Sequence, residues 1–95
     1  MFIHIGEDTV VCAEEIVGIF DMESTTVMKR TVEFLNNGEK MKKVINVSPF
    51  ELPKSFIVCE TPKGERIFIS PVNVATIQKR IDNKTKRIKE LKKGK

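Results

Sequence analysis

The stretch Ser55-Phe56-Ile57-Val58-Cys59-Glu60-Thr61-Pro62-Lys63-Gly64-Glu65-Arg66-Ile67-Phe68-Ile69-Ser70-Pro71 decides the fold. Its two ends are rich in β-branched and aromatic residues, and Thr61–Gly64 between them holds the proline and glycine of a turn. That pattern predicts an antiparallel hairpin, Ser55–Glu60 against Arg66–Ser70. Ser70-Pro71 then reads as a helix start, with a hydroxyl for a first-turn amide and a proline whose missing N–H is harmless there. Beyond it, Val74, Ile77, Ile81, Ile88 and Leu91 follow at intervals of 3, 4, 7 and 3, a seam whose skipped position is Lys84. The helix is expected from 71 to about 91, a length of about 30 Å.

Working outward, Phe2–Ile5 alternates as a strand, Gly6-Glu7-Asp8 turns the chain, and Thr9–Ala13 resumes with β-branched residues as a first hairpin. Glu14-Glu15 interrupts the pattern and Ile16–Phe20 reads as a third strand. Gly18 within that run predicts a bulge or a close backbone approach. Val27, Met28, Thr31, Val32 and Leu35 form one helical stripe. Ser24 or Thr25 would cap its start, and Asn36-Asn37-Gly38 would end it with Gly38 in the left-handed region. Val44–Val47 reads as a fourth strand, and the prolines in Ser48–Pro53 make that segment a loop. The expected fold is therefore α+β: a small antiparallel sheet of five or six short strands with two helices, the second long and C-terminal.

A length of 95 residues suits one core. We place the domain at 1–82 and a basic helical extension or tail at 83–95. No apolar run approaches the ~20 residues needed to span a bilayer. The chain opens directly on a strand, so the expected location is the cytoplasm. The net charge of +4 is unevenly spread. Residues 1–28 hold six acids and no Lys or Arg; residues 83–95 hold seven bases and one acid. Such a tail either solubilises the chain, attracts a polyanion, or meets the acidic third of another copy head to tail.

The inventory for catalysis is thin. Two cysteines, Cys12 and Cys59, are too few for a disulfide scaffold and lie in apolar strands, where cysteine acts as a small hydrophobe. No base is recognisable beside either thiol. The single histidine, His4, has no ligand partner at zinc-site spacing; it reads as a satisfied strand residue or one at a subunit contact. Glu14 and Glu15, if extended, face opposite ways and do not converge as an acid–base pair. The glycines never cluster into a phosphate-cradling loop. The expectation is a protein that is no enzyme, with no cofactor and no metal. Lys29-Arg30, Lys42-Lys43 and Lys79-Arg80 are basic pairs. Without Trp or Tyr, contact with duplex backbone is favoured over base stacking.

Four segments together resemble a known family: Met1–Gly6, Glu14–Asp21, Pro53–Val58, and Ile69-Ser70-Pro71 leading to Lys79-Arg80. They are similar to the RemA/RemB family of small bacterial extracellular-matrix (biofilm) regulators, and to the RemB branch more than the RemA branch, over residues 1–81. The resemblance implies a cytoplasmic transcription regulator with a fold likened to the LytTR DNA-binding domain. RemA-type members are homo-oligomeric rings that carry DNA on repeated arginines. At the positions of those arginines this chain has Glu15, Glu51 and Leu52, with Lys54 retained. A carboxylate repels phosphate, so other cations must substitute. The candidates are Lys29, Arg30, Lys42, Lys43, Lys54, Lys79, Arg80, Lys86 and Arg87. The competing readings are an oligomeric interaction module that does not bind DNA, and a ligand or metal sensor using His4 and the cysteines.

Overall fold

The structure, a computed structural model, describes residues 1–22 and 29–93, with side chains throughout except at 29–32 and 90–93. The expected caps Ser24 and Thr25, and the stripe residues Val27 and Met28, lie outside the described residues. Six strands and two helices follow in order: β1 (Phe2–Gly6), β2 (Thr9–Cys12), a 3-10 turn (Ala13–Glu15), β3 (Ile16–Asp21), α1 (Lys29–Lys40), β4 (Val44–Asn46), β5 (Ser55–Thr61), β6 (Gly64–Ser70) and α2 (Val74–Lys93). The α+β class and the long C-terminal second helix are as expected. Among the described residues, no helix is long and apolar enough to cross a membrane.

The strands form two sheets rather than one. β1 and β2 make a separate hairpin, and the larger sheet has the order β3-β5-β6-β4. Within it β4 runs parallel to β6, while the other neighbours are antiparallel. The proline-containing loop 47–54 explains this departure: it carries the chain from β4 past the end of β6 to β5. Its path is fixed by hydrogen bonds from Val47 N to Ile69 O and from Lys54 N to Ser70 O.

β5 is the centre of the molecule. Phe56, Ile57, Val58 and Cys59 are all buried, because the sheet is covered on both faces and alternation therefore disappears. Ile57 and Cys59 face Ile3, Ile5 and Val11 of the hairpin and Ile77 of α2. Phe56 and Val58 face the other way with Ile67, against Leu35, Val44 and Met22. The three layers are thus hairpin with α2, sheet, and α1.

Glycines mark the tight points. Gly6 has φ 139°, and a Cβ there would lie 3.1 Å from both Pro71 Cδ and Val47 Cγ1. Gly18 behaves as predicted: the β3–β5 register shifts between Ile16 and Gly18, and the Phe20 ring lies over the bare backbone. Gly38 corrects the expectation. It does not end α1, which runs through it to Lys40. A Cβ at Gly38 would meet Ile67 Cδ1 at 2.8 Å and Val44 Cγ2 at 3.0 Å, so glycine is there to let the helix lie close on the sheet. The left-handed residue after the helix is Lys42, at φ 58°.

The start of α2 also differs. Asn73 caps it, its Oδ1 accepting from Thr76 N at 2.8 Å. Ser70 remains in β6, fully buried, donating to Ile5 O at 2.5 Å and accepting from Val72 N at 3.0 Å. Its hydroxyl therefore joins the two sheets instead of opening the helix.

Candidate nucleic-acid interface

α2 leaves the end of the sheet where Ser55 pairs with Ser70 and runs antiparallel to β1. Ile77 is fully buried and Ile81 packs on the same core. Beside this seam, Arg80 Nη1 donates to His4 O at 2.8 Å, and one turn further Lys84 Nζ donates to Phe2 O. Four helical residues rise about 6 Å and two strand residues about 6.8 Å, so the two repeats match over this distance. Lys84 interrupts the apolar seam because a strand edge, rather than a core, lies beneath it. Past this point the helix extends beyond the hairpin, and Lys86, Arg87, Ile88 and Lys89 are exposed.

Four of the sequence candidates, Lys79, Arg80, Lys86 and Arg87, are therefore gathered on α2. Lys79 and Lys86 share one stripe, and Arg80 and Arg87 the next. Lys54 is exposed at the start of β5, the end of the sheet from which α2 departs. Lys42 and Lys43 are not brought to that region. They precede Val44, which pairs with Ile67, and so lie beside Arg66 at the opposite end. Lys29 and Arg30 are the first two residues of α1, and their side chains lie outside the described residues.

The acidic positions separate in the same way. Glu51 and Leu52 are exposed in the loop just before Lys54. Glu15 is half-buried at the far end, next to the Ile16–Cys59 pair. Glu14 and Glu15 are not in a strand; they belong to the 3-10 turn. The Glu14 carboxylate lies 3.0 Å from the Met1 amino group and accepts from Cys12 Sγ at 2.8 Å. The thiol contact, more than the amino group, lowers its pKa from 4.5 to about 2. A carboxylate therefore does stand beside Cys12, two residues away in the 3-10 turn that follows β2. Cys59 is buried and its pKa is pushed up to about 11, chiefly by desolvation and then by the charge of Glu15, which keeps it an unreactive core thiol at neutral pH.

Sequence reasoning missed His4, Asn83 and Lys84 as partners of Arg80 and Arg87. Together with Ile3 these residues line a cleft of about 240 Å³ between α2 and β1. The signal was present in the i, i+3, i+4, i+7 spacing of Arg80, Asn83, Lys84 and Arg87. The His4 ring lies over the turn, its Nε2 bonded to Glu7 O. Among the described residues, no three His, Cys, Asp or Glu side chains group as a metal site.

Two comparisons bear on this arrangement. The sequence profile of a family described as RemA-like, extracellular matrix regulatory protein A-like, matches residues 2–81. The extracellular matrix regulatory protein B of Bacillus subtilis (strain 168) is 38% identical over 80 residues, covering 84% of this chain and 89% of that protein. The family match spans both sheets and the first part of α2.

Proposed function

Because this chain belongs to the RemA-like family, we propose that it regulates extracellular-matrix gene expression as a cytoplasmic homo-oligomer that contacts duplex DNA through α2. Similarity to the extracellular matrix regulatory protein B of Bacillus subtilis supports the matrix role. The observation that carries the DNA contact is the gathering of Lys79, Arg80, Lys84, Lys86 and Arg87 on a single helix. One helix offers few phosphate contacts, and assembly multiplies them, since log affinity scales with the number of phosphates neutralised. Exposed apolar side chains supply material for self-association: Phe50 and Leu52 on the loop 47–54, and Phe2 and Val10 on the outer face of the hairpin.

Fluorescence anisotropy with a labelled duplex, titrated at several salt concentrations, tests the reading, with light scattering on the same sample. The expected result is an oligomer whose duplex affinity falls steeply with salt. A monomer, or an oligomer with no duplex affinity at low salt, overturns it; the latter outcome selects the second reading, an interaction module without DNA. The substitution of Glu51 and Leu52 at positions basic in RemA-type members favours that second reading.

A further inference from the structure

We propose that the cleft between α2 and β1 is a binding site for a phosphoryl group, presented either by a small phosphate ester or by a nucleic-acid backbone. Arg80, Lys84 and Arg87 converge on it from one stripe of α2, with Asn83 between them and Ile3 and His4 on the strand side. Three formal cations on one cleft repel each other until an anion enters. No carboxylate lines the cleft. Asp82 lies on another face of the helix, held by Gln78 Nε2 at 3.1 Å, and the stripe carries no acid before Glu90.

The donors are already oriented. Arg80 commits one N–H to His4 O and Lys84 one to Phe2 O, which leaves four guanidinium and two ammonium protons for a ligand. Arg87 and Asn83 have no hydrogen-bond or ion-pair partner among the described residues. Two side chains anchored before the ligand arrives lower the ordering cost of binding. The charge favours a dianionic phosphate monoester over a monocarboxylate. A volume of about 240 Å³ is below that of a drug-sized pocket, and suits a phosphate with a small organic substituent. That substituent would rest on the aliphatic stems of the cationic side chains.

The backbone form of the proposal rests on the DNA reading and the free-ester form does not, and one set of titrations separates them. The full chain is titrated calorimetrically with inorganic phosphate, phenyl phosphate and a short duplex, with chloride holding ionic strength constant. The variants are Arg87→Gln, and Lys63→Gln as an equal charge loss at a distant turn. The expected result is saturable phosphate binding at one site per chain, tighter for phenyl phosphate. Arg87→Gln should weaken it roughly tenfold or more, the order of one charge-assisted hydrogen bond, and Lys63→Gln should leave it intact. Non-saturable binding, or equal weakening by both variants, overturns the site whatever the duplex does. Phosphate binding without duplex affinity upholds the site and removes the DNA reading. If duplex displaces phosphate and Arg87→Gln weakens both, the phosphoryl group is that of the backbone. If duplex binds without displacing phosphate, the ligand is a free ester.

Discussion

Arg80 donates to the main-chain carbonyl of His4 across 76 residues of sequence, at 2.8 Å. The contact ties α2 to the outer edge of β1, an edge that no strand of the described chain pairs. Arg80→Gln should lower stability by about 1 kcal/mol, the net worth of a hydrogen bond that retains some solvent access. Urea denaturation at constant slope would show it; an unchanged midpoint would mean that the carbonyl is equally well served by water.

Ser70 should be far less tolerant. Its hydroxyl serves Ile5 O and Val72 N while fully buried. Ser70→Ala leaves both backbone groups without that partner, and the expected loss is about 2–3 kcal/mol. Thermal unfolding should register it as a clearly reduced midpoint.

Ile77→Ala removes the side chain with which α2 enters the core between Ile3, Ile5 and Ile57. A loss of about 3–4 kcal/mol is expected for a cavity at a fully enclosed site. If the hairpin and α2 could close the gap by sliding together, the loss would fall below 2 kcal/mol, the lower end for such truncations.

Glu14 has a folded-state pKa of about 2 against an ordinary 4.5. Because the folded value is depressed, its stabilising contribution is complete above the ordinary value and fades as pH falls from about 4.5 towards 2. The Cys12 thiol is the largest cause, so Cys12→Ala should move the midpoint upward towards 4.5. Carbon-detected NMR titration of the Glu14 carboxyl reads this directly, and a midpoint unmoved by the substitution would assign the shift to the backbone and the amino group instead.

Glu51→Arg with Leu52→Arg adds three units of positive charge per chain beside Lys54. Under the DNA reading, duplex affinity should rise and the salt dependence should steepen by about 2 in the log–log slope, as two further phosphates are neutralised. A duplex affinity indifferent to the change would place the contact elsewhere on the surface.

Local chemistry was legible in the sequence; long-range pairing was not. The hairpins announced themselves through Gly6-Glu7-Asp8 and Thr61–Gly64, and the run 56–59 read as a strand, whereas its cover on both faces emerged only from the packing. The parallel partnership of β4 with β6 had no local signature, because it depends on where the loop 47–54 leads. Gly38 carried an ambiguous signal. A glycine after two asparagines reads as a helix end, yet here it serves contact with Ile67 and Val44. At the candidate site the cations Arg80 and Arg87 were visible as charges, whereas His4 could join them only through the docking of β1 on α2. Lys84 was visible too, as a break in an apolar seam whose cause lay on another element.

The molecule measures 49 Å along its longest axis against 27 and 24 Å across, and α2 projects past the hairpin with Lys86, Arg87, Ile88 and Lys89 exposed. A helical end with no neighbour to lean on holds its shape by its own propensity alone. Warming should therefore uncoil these turns well before the sheets give way. The chain would then trade a rigid, evenly spaced array of cations for a loose basic leash while its body stays folded, making the grip on any polyanion more sensitive to temperature than the fold itself.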